Sequence, residues 1–303
     1  MGVDVYVTES TAPVSPARSS AATWQGIMLV AAGAVGFSAA IIFIREMSEL
    51  AAPTIMLFRA LSAFLFFSAL LPHHRVSLQV STYRRALPWL WGLGLAMGVT
   101  SLLYTVAVQN TTAANAVLLN NTAPLYVALL APWLLKETRP RYIWLSLAMA
   151  VTGMICVTIP AQGGERAGSW LGIVAAAFSG FSYAFTMLFS RRLQGRVSGV
   201  TQVWWGTGVA VLVALPWAWG GPWEAVLANW YWLLAVGIIS LALPYFCYFQ
   251  GLKRIKAQVV SIVALLEPVC GVLIGVWLYR EIPSVLGMAG MGMILLSIFW
   301  ISR

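Results

Sequence analysis

Charge is scarce in this chain. Only 9% of its 303 residues are Asp, Glu, Lys or Arg, against about 25% in an ordinary soluble domain. With 60% of its residues hydrophobic, a soluble fold would have too little polar surface to cover itself. Histidine and cysteine are scarcer still. His73 and His74 stand beside Arg75 in a polar break, where solvation at an interface accounts for them. Cys156, Cys247 and Cys270 lie far apart inside apolar runs, so no spacing supports a disulfide or a zinc site. Glu46, Glu49, Glu137, Glu165, Glu224 and Glu281 are scattered, which leaves an enzyme no reactive cluster. No phosphate-binding loop is present, and Gly92-x-Gly94 lacks the strand–helix unit of a nucleotide fingerprint. No cofactor and no metal are therefore expected.

Long apolar runs are abundant. They recur at about the twenty residues needed to cross the hydrocarbon of a bilayer. Spans are expected at 24–44, 53–72, 86–108, 110–135, 142–159, 169–189, 201–219, 230–250, 257–279 and 284–301. The runs are continuous rather than alternating, which excludes a membrane β-barrel. Residues 1–22 are polar and rich in Ser, Thr, Ala and Pro, and read as a disordered cytoplasmic tail. The first apolar run is too long for a signal peptide and has no cleavage pattern.

Basic residues orient this array. Arg18, Arg75, Arg84, Arg85, Lys136, Arg139, Arg141, Arg191, Arg192, Arg196, Lys253, Arg254, Lys256 and Arg303 fall on one side. The other side holds only Arg45, Arg166 and Arg280, and Arg59 lies within a span. Positive loops stay in the cytoplasm, so both termini are expected there, in a multi-pass plasma membrane protein (the inner membrane of a bacterium). The net charge of +9 is explained by this topology, and no nucleic-acid partner is expected. The fifteen Trp residues map to span ends as interfacial anchors.

The second half of the chain echoes the first. Sliding residues 104–137 onto 248–281 aligns Tyr104 with Tyr248, Ala113 with Ala257, Pro124 with Pro268, Leu129 with Leu273, Trp133 with Trp277, Leu134 with Leu278 and Glu137 with Glu281. Trp24-x-Gly26-Ile27 likewise matches Trp170-x-Gly172-Ile173, and Gly36-Phe37-Ser38 matches Gly180-Phe181-Ser182. Five spans per half is an odd number, so the second half must enter the membrane from the opposite side. The expected fold is an all-α polytopic membrane protein of ten transmembrane helices in two inverted five-helix repeats, 23–160 and 161–303. Inverted repeats of this kind underlie many secondary transporters, with a substrate site near the midplane.

These residues carry a resemblance. The chain is similar to the drug/metabolite transporter superfamily, specifically an EamA-type carrier. Each repeat of that family closes with a Pro-containing helix running into a Gly-Glu or basic-Glu end. Here those are Ala123-Pro124-Leu125 through Lys136-Glu137, and Leu266-Glu267-Pro268-Val269 through Arg280-Glu281. Leu57-Phe58-Arg59-Ala60 resembles the family's second-span signature. Lys136 and Arg280 stand where the family usually has Gly. The resemblance covers roughly residues 24–301 and implies transport of a small metabolite, often outward and including amino acids.

Candidate site residues follow from polarity inside spans. Glu267 sits halfway along the ninth span, where an ionised carboxylate is expensive. It reads as a protonation site coupled to substrate, as a partner for a substrate amine, or as a neutral acid steadying the helix beside Pro268. Arg59 would snorkel outward, pair with Glu267 or Glu46, or hold a substrate carboxylate bidentately. Asn115 and Asn121 in the polar fourth span would bind a polar substrate or tie helices together. Tyr104, Tyr183, Tyr248 and Ser261 would line a cavity or simply pack.

The sequence thus supports a secondary carrier, with a small-molecule substrate, the lipid bilayer and protons as its partners. A zwitterion is favoured because an acid and a base both lie inside the bundle. A passive channel or facilitator is the alternative, and it predicts no trans-stimulation. Reporters fused to either terminus should be active in the cytoplasm. Activity of a reporter that works only outside the cytoplasm, at either end, would overturn the ten-span topology.

Overall fold

The computed structural model describes residues 20–40, 42–43, 47, 49–70, 84–110, 119–158, 169–218, 223–279 and 284–302, and every regular element among them is helical. The helices are α1 (Ser20–Ser38), α2 (Ala52–Leu70), α3 (Leu87–Asn110), α4 (Ala123–Leu135), α5 (Ile143–Thr158), α6 (Trp170–Leu193), α7 (Gly199–Ala214), α8 (Trp223–Ala228), α9 (Trp230–Gly237), α10 (Leu243–Leu252), α11 (Ala257–Val263), α12 (Leu266–Tyr279) and α13 (Val285–Ser302). A π-helical turn over Ile238–Ala242 joins α9 to α10. Among the described residues, six segments are long and apolar enough to cross a membrane: Ala21–Ser38, Pro53–Leu70, Leu87–Ala107, Trp170–Leu193, Gly199–Trp217 and Trp230–Leu252. Shorter apolar helices at Ala123–Leu135, Ile143–Cys156, Ala257–Gly271 and Val285–Ile301 occupy the expected fourth, fifth, ninth and tenth positions.

Two expectations shift in detail. The fourth span was expected as one helix from residue 110, but Asn110 is the last residue of α3. Its described part begins at Leu119, turns at Asn121–Thr122 and restarts as α4. The ninth span is likewise broken, between α11 and α12. Both breaks have the same cause. Proline has no N–H to give the carbonyl four residues back, and Pro124 and Pro268 each stand just inside the restarted helix. Residues 1–19 of the expected tail lie outside the described residues, and α1 already begins at Ser20.

Lipid tails give no hydrophobic gain for burying one apolar helix against another, so close packing and small residues hold the bundle. Gly94 and Gly98 of α3 meet α7: a Cβ on them would come within 2.5 Å of Val209 Cβ and 2.8 Å of Val213 Cγ2. Gly180 of α6 lies against the break before α4, where a Cβ would collide with the Leu119 carbonyl oxygen. The most extensive contacts join the first five span positions to the last five. They pair α1 with α10 and α3 with α6, α2 with α9 and α3 with α7, α1 with α12 and α4 with α6. Each couple maps onto the other when every span position is exchanged with the one five places away. The contacts of α2 with α7 and of α5 with α13 map onto themselves. Matched residues also share their surroundings, since Trp133 and Trp277 are both 82% exposed on the lipid-facing surface.

Gly180→Val should push α6 off the broken span at a cost of about 1–3 kcal/mol, as overpacking does. Gly292 has nothing within 4 Å of a Cβ, so Gly292→Ala serves as the neutral control. Thermal stability in detergent checks this: the first variant should melt several degrees lower and the second should match the parent.

Candidate functional site

Two prolines build the site by freeing backbone carbonyls in its walls. Because Pro268 cannot donate to the Ala264 carbonyl, the Glu267 N–H takes it at 2.9 Å. The chain thereby tightens, α11 ends, and α12 opens with Glu267 in its first turn. There the carboxylate lies near the positive end of the helix dipole, the favourable end for an anion. Ser38 Oγ, at the end of α1, lies 2.8 Å from both the Ala34 and the Glu267 carbonyl oxygens and shares its one proton between them. That contact fixes the break against α1.

Pro244 acts in the same way on the eighth span. In α-helical register it would leave the Ser240 carbonyl without a donor, and Ser240 sits in the π-helical turn. The Arg59 Nη2 reaches across from α2 and donates to that carbonyl. The guanidinium is therefore held inside the bundle instead of snorkelling to an interface. Arg59 Nε has no hydrogen-bond partner among the described residues.

Glu267 and Arg59 face one cavity of about 200 Å³. Tyr104, Tyr183 and Tyr245 contribute rings, Thr100, Ser101, Thr105, Thr207 and Asn120 contribute polar groups, and Phe37, Ile55, Met56, Met97 and Leu241 are apolar wall. Phe37 meets the Tyr245 ring edge-on at 4.9 Å between centroids. Drug-sized ligands occupy roughly 300–1,000 Å³, so this space suits a smaller metabolite. The two charges interact across the cavity, but the direct ion pair observed among the described residues is elsewhere, between Arg191 and Glu137. A cavity with a separated cation and anion, hydroxyls between them and apolar walls can hold a small molecule that carries both charges. No group of three His, Cys, Asp or Glu able to hold a metal occurs among the described residues.

The other expected residues divide. Tyr104 and Tyr183 line the cavity with Glu267 and Arg59. Tyr248 does not: it is fully buried beneath Tyr183, its ring 6.4 Å from that of Phe37. Ser261 is buried and donates to the Gln258 carbonyl at 2.9 Å, a helix-internal bond. Asn121 is buried outside the lining, and its neighbour Asn120 takes the cavity position, with its Oδ1 2.9 Å from Ser179 Oγ. Asn115 and Glu46 lie outside the described residues. Tyr245, Thr100 and Ser101 were not anticipated. Their signals were present: Thr100, Ser101, Tyr104 and Thr105 form a polar stripe at helical spacing, and Tyr245 precedes Tyr248 by one turn.

Comparison with known proteins gives a consistent answer. An uncharacterized transporter of Archaeoglobus fulgidus is 27% identical over 211 residues, 69% of this chain and 74% of that protein. The pseudopaline exporter CntI of Pseudomonas aeruginosa is 26% identical over 282 residues, 92% of this chain and 96% of its own. A solved crystal structure superposes with a TM-score of 0.75 at 21% identity, over 93% of this chain and 96% of that one, and so shares the fold. The profile of the EamA-like transporter family matches residues 24–159 and again 170–303. The chain is a multi-pass membrane protein, and it belongs to the EamA-like transporter family.

Proposed function

We propose that this transporter is a secondary carrier that moves a small zwitterion, an amino acid or a close relative, outward across the bacterial inner membrane. The observation that carries this reading is the placement of Arg59 and Glu267. Opposite charges from opposite halves of the chain face one small cavity without pairing directly. A substrate carboxylate would take the guanidinium edge that Ser240 leaves free. A substrate amine would take the Glu267 carboxylate, with Tyr104, Tyr183 and Tyr245 around the remainder. A carboxylate that serves in turn as proton acceptor and amine partner couples the two, because protonation removes the charge that holds the amine.

The moving parts are the two inverted five-helix halves, 23–160 and 161–303, rocking about the cavity with both termini in the cytoplasm and ten crossings in all. The exchange symmetry of the helix contacts supports this division. The name of a relative that spans almost the whole chain, an exporter, supports the outward direction. The driving force is an ion gradient, protons in the first instance.

Counterflow in proteoliposomes with a panel of amino acids, at two pH values, tests the reading. At least one zwitterion should exchange and be trans-stimulated. Uptake without trans-stimulation would mean a passive channel, and failure of every zwitterion would remove the substrate class. Glu267→Gln should leave folded protein whose exchange no longer varies with pH, whereas an unchanged pH profile would take Glu267 out of the coupling. Arg59→Lys keeps a donor for the Ser240 carbonyl but loses the planar fork. It should raise the KM about 10- to 100-fold, the worth of about 1.5–3 kcal/mol in a charged hydrogen bond, with little change in the amount of folded protein.

A further inference from the structure

The cavity is off-centre. The helices α1, α3 and α7 begin on the side of the basic loops, with Arg84 and Arg85 before α3 and Arg196 before α7, and they contribute Phe37, Thr100 to Thr105 and Ala210 from their far portions. The α2 helix begins on the opposite side and contributes Ile55 to Ala60 from its start. The open space therefore lies away from the basic loops, and Tyr183 belongs to its inner wall.

What fills the basic side is a different kind of contact. Arg191 Nε lies 2.5 Å from Glu137 Oε1, both side chains largely buried. The second Glu137 oxygen accepts from the Ala257 N–H at 3.2 Å, and Arg191 Nη1 donates to the Leu252 carbonyl. Lys256 Nζ donates to Thr138 Oγ1 at 2.7 Å. The chain after α4, the end of α6 and the α10–α11 connection are thereby tied at one point. Lys136 aims Glu137 there by adopting a left-handed backbone, φ 56° and ψ 28°, the conformation a glycine takes most readily. Arg191 lies eight residues beyond Tyr183 on α6, about 12 Å along the helix at 1.5 Å per residue. Tyr248 sits one turn inside Leu252, and Gln258 follows Ala257 directly. Gln258 is fully buried, yet neither its amide oxygen nor its nitrogen has a hydrogen-bond partner among the described residues. A buried amide left unpaired costs about 1–3 kcal/mol, so this arrangement favours a second one in which Gln258 reaches a polar partner.

We propose that the Glu137–Arg191 clasp is the gate on the basic-loop side, and that Gln258, immediately inside it, lines the polar passage that opens when the clasp parts. Glu137 and Thr138 belong to the first half and Arg191, Lys256 and Ala257 to the second, so rocking of the halves must break the Glu137–Arg191, Glu137–Ala257 and Thr138–Lys256 contacts together. The inference rests on the alternating reading above, but its test needs no substrate.

The experiment places a single cysteine at Gln258→Cys, with Cys156, Cys247 and Cys270 replaced by Ser. It follows labelling by a membrane-impermeant maleimide in vesicles that present the basic-loop face. With the clasp intact, labelling should be slow. Glu137→Gln should speed it about tenfold or more, given the worth of a charged hydrogen bond. Arg191→Lys, which keeps a cation against Glu137 and a donor for the Leu252 carbonyl, should label as slowly as the parent, whereas Arg191→Gln should match Glu137→Gln, which separates gating from damage to the fold. Equal labelling rates with and without Glu137→Gln would overturn the proposal, as would slow labelling in Arg191→Gln with monodisperse protein. Should zwitterion exchange fail while labelling follows this pattern, the substrate reading falls and the gate stands.

Discussion

In hydrocarbon a backbone carbonyl without a donor has no water to turn to, and this constraint organises the interior. Pro244 and Pro268 each withdraw one N–H from a membrane-depth helix. The two carbonyls that lose their α-helical donor are then met differently. At Ala264 the chain serves itself, since the Glu267 N–H steps back one residue and the helix breaks. At Ser240 the chain widens into a π-turn and a guanidinium from another helix supplies the donor. In both places the repair installs a charged side chain at the wall of the same cavity. The prolines thus explain why Arg59 and Glu267 lie where they do, before any ligand is considered.

The scaffold repeats, but the charges do not. Pro124 and Pro268 break corresponding spans, and Trp133 and Trp277 face outward to the same extent. At the position aligned with Glu267, however, the first half has Ala123, which is fully buried. A site that was symmetric about the midplane would present two acids to each other. One acid and one base, contributed by different halves, give the cavity a polarity instead.

Much of this was legible in the residues. The apolar runs, the placement of Lys and Arg, and the paired Pro and Trp positions specify an all-helical membrane fold, though not the breaks within its fourth and ninth spans. Glu267 and Arg59 stand out because a charge at membrane depth is rare. The direction of each side chain was not legible. Adjacent residues on a helix point about 100° apart, and that step separates Asn120 in the cavity wall from Asn121 outside it. Apolar residues surround these helices on every face, so no hydrophobic stripe marks the inward side as it does in a soluble helix. Tyr248 and Ser261 do not line this cavity: hydroxyl chemistry singled them out, but Tyr248 packs beneath Tyr183 and Ser261 bonds within its own helix. The Ser240 carbonyl, a partner without side-chain identity, has no sequence signal beyond the proline four residues later.

Two pairs of charges among the described residues illustrate opposite uses of the same chemistry. A buried ion pair is weak evidence for stability, because removing both charges from water offsets most of their attraction, whereas breaking one leaves a strongly disfavoured isolated charge. That asymmetry suits a contact with two alternatives. Glu137 and Arg191 satisfy each other, together with the Ala257 N–H and the Leu252 carbonyl. Arg59 and Glu267 face the cavity on the side away from the basic loops and form no direct ion pair. Left apart in a small cavity, they favour whatever molecule can approach both at once. The first pair joins the two halves by direct contact and the second faces across open space, so the same chemistry closes the bundle at one level and leaves it open at another.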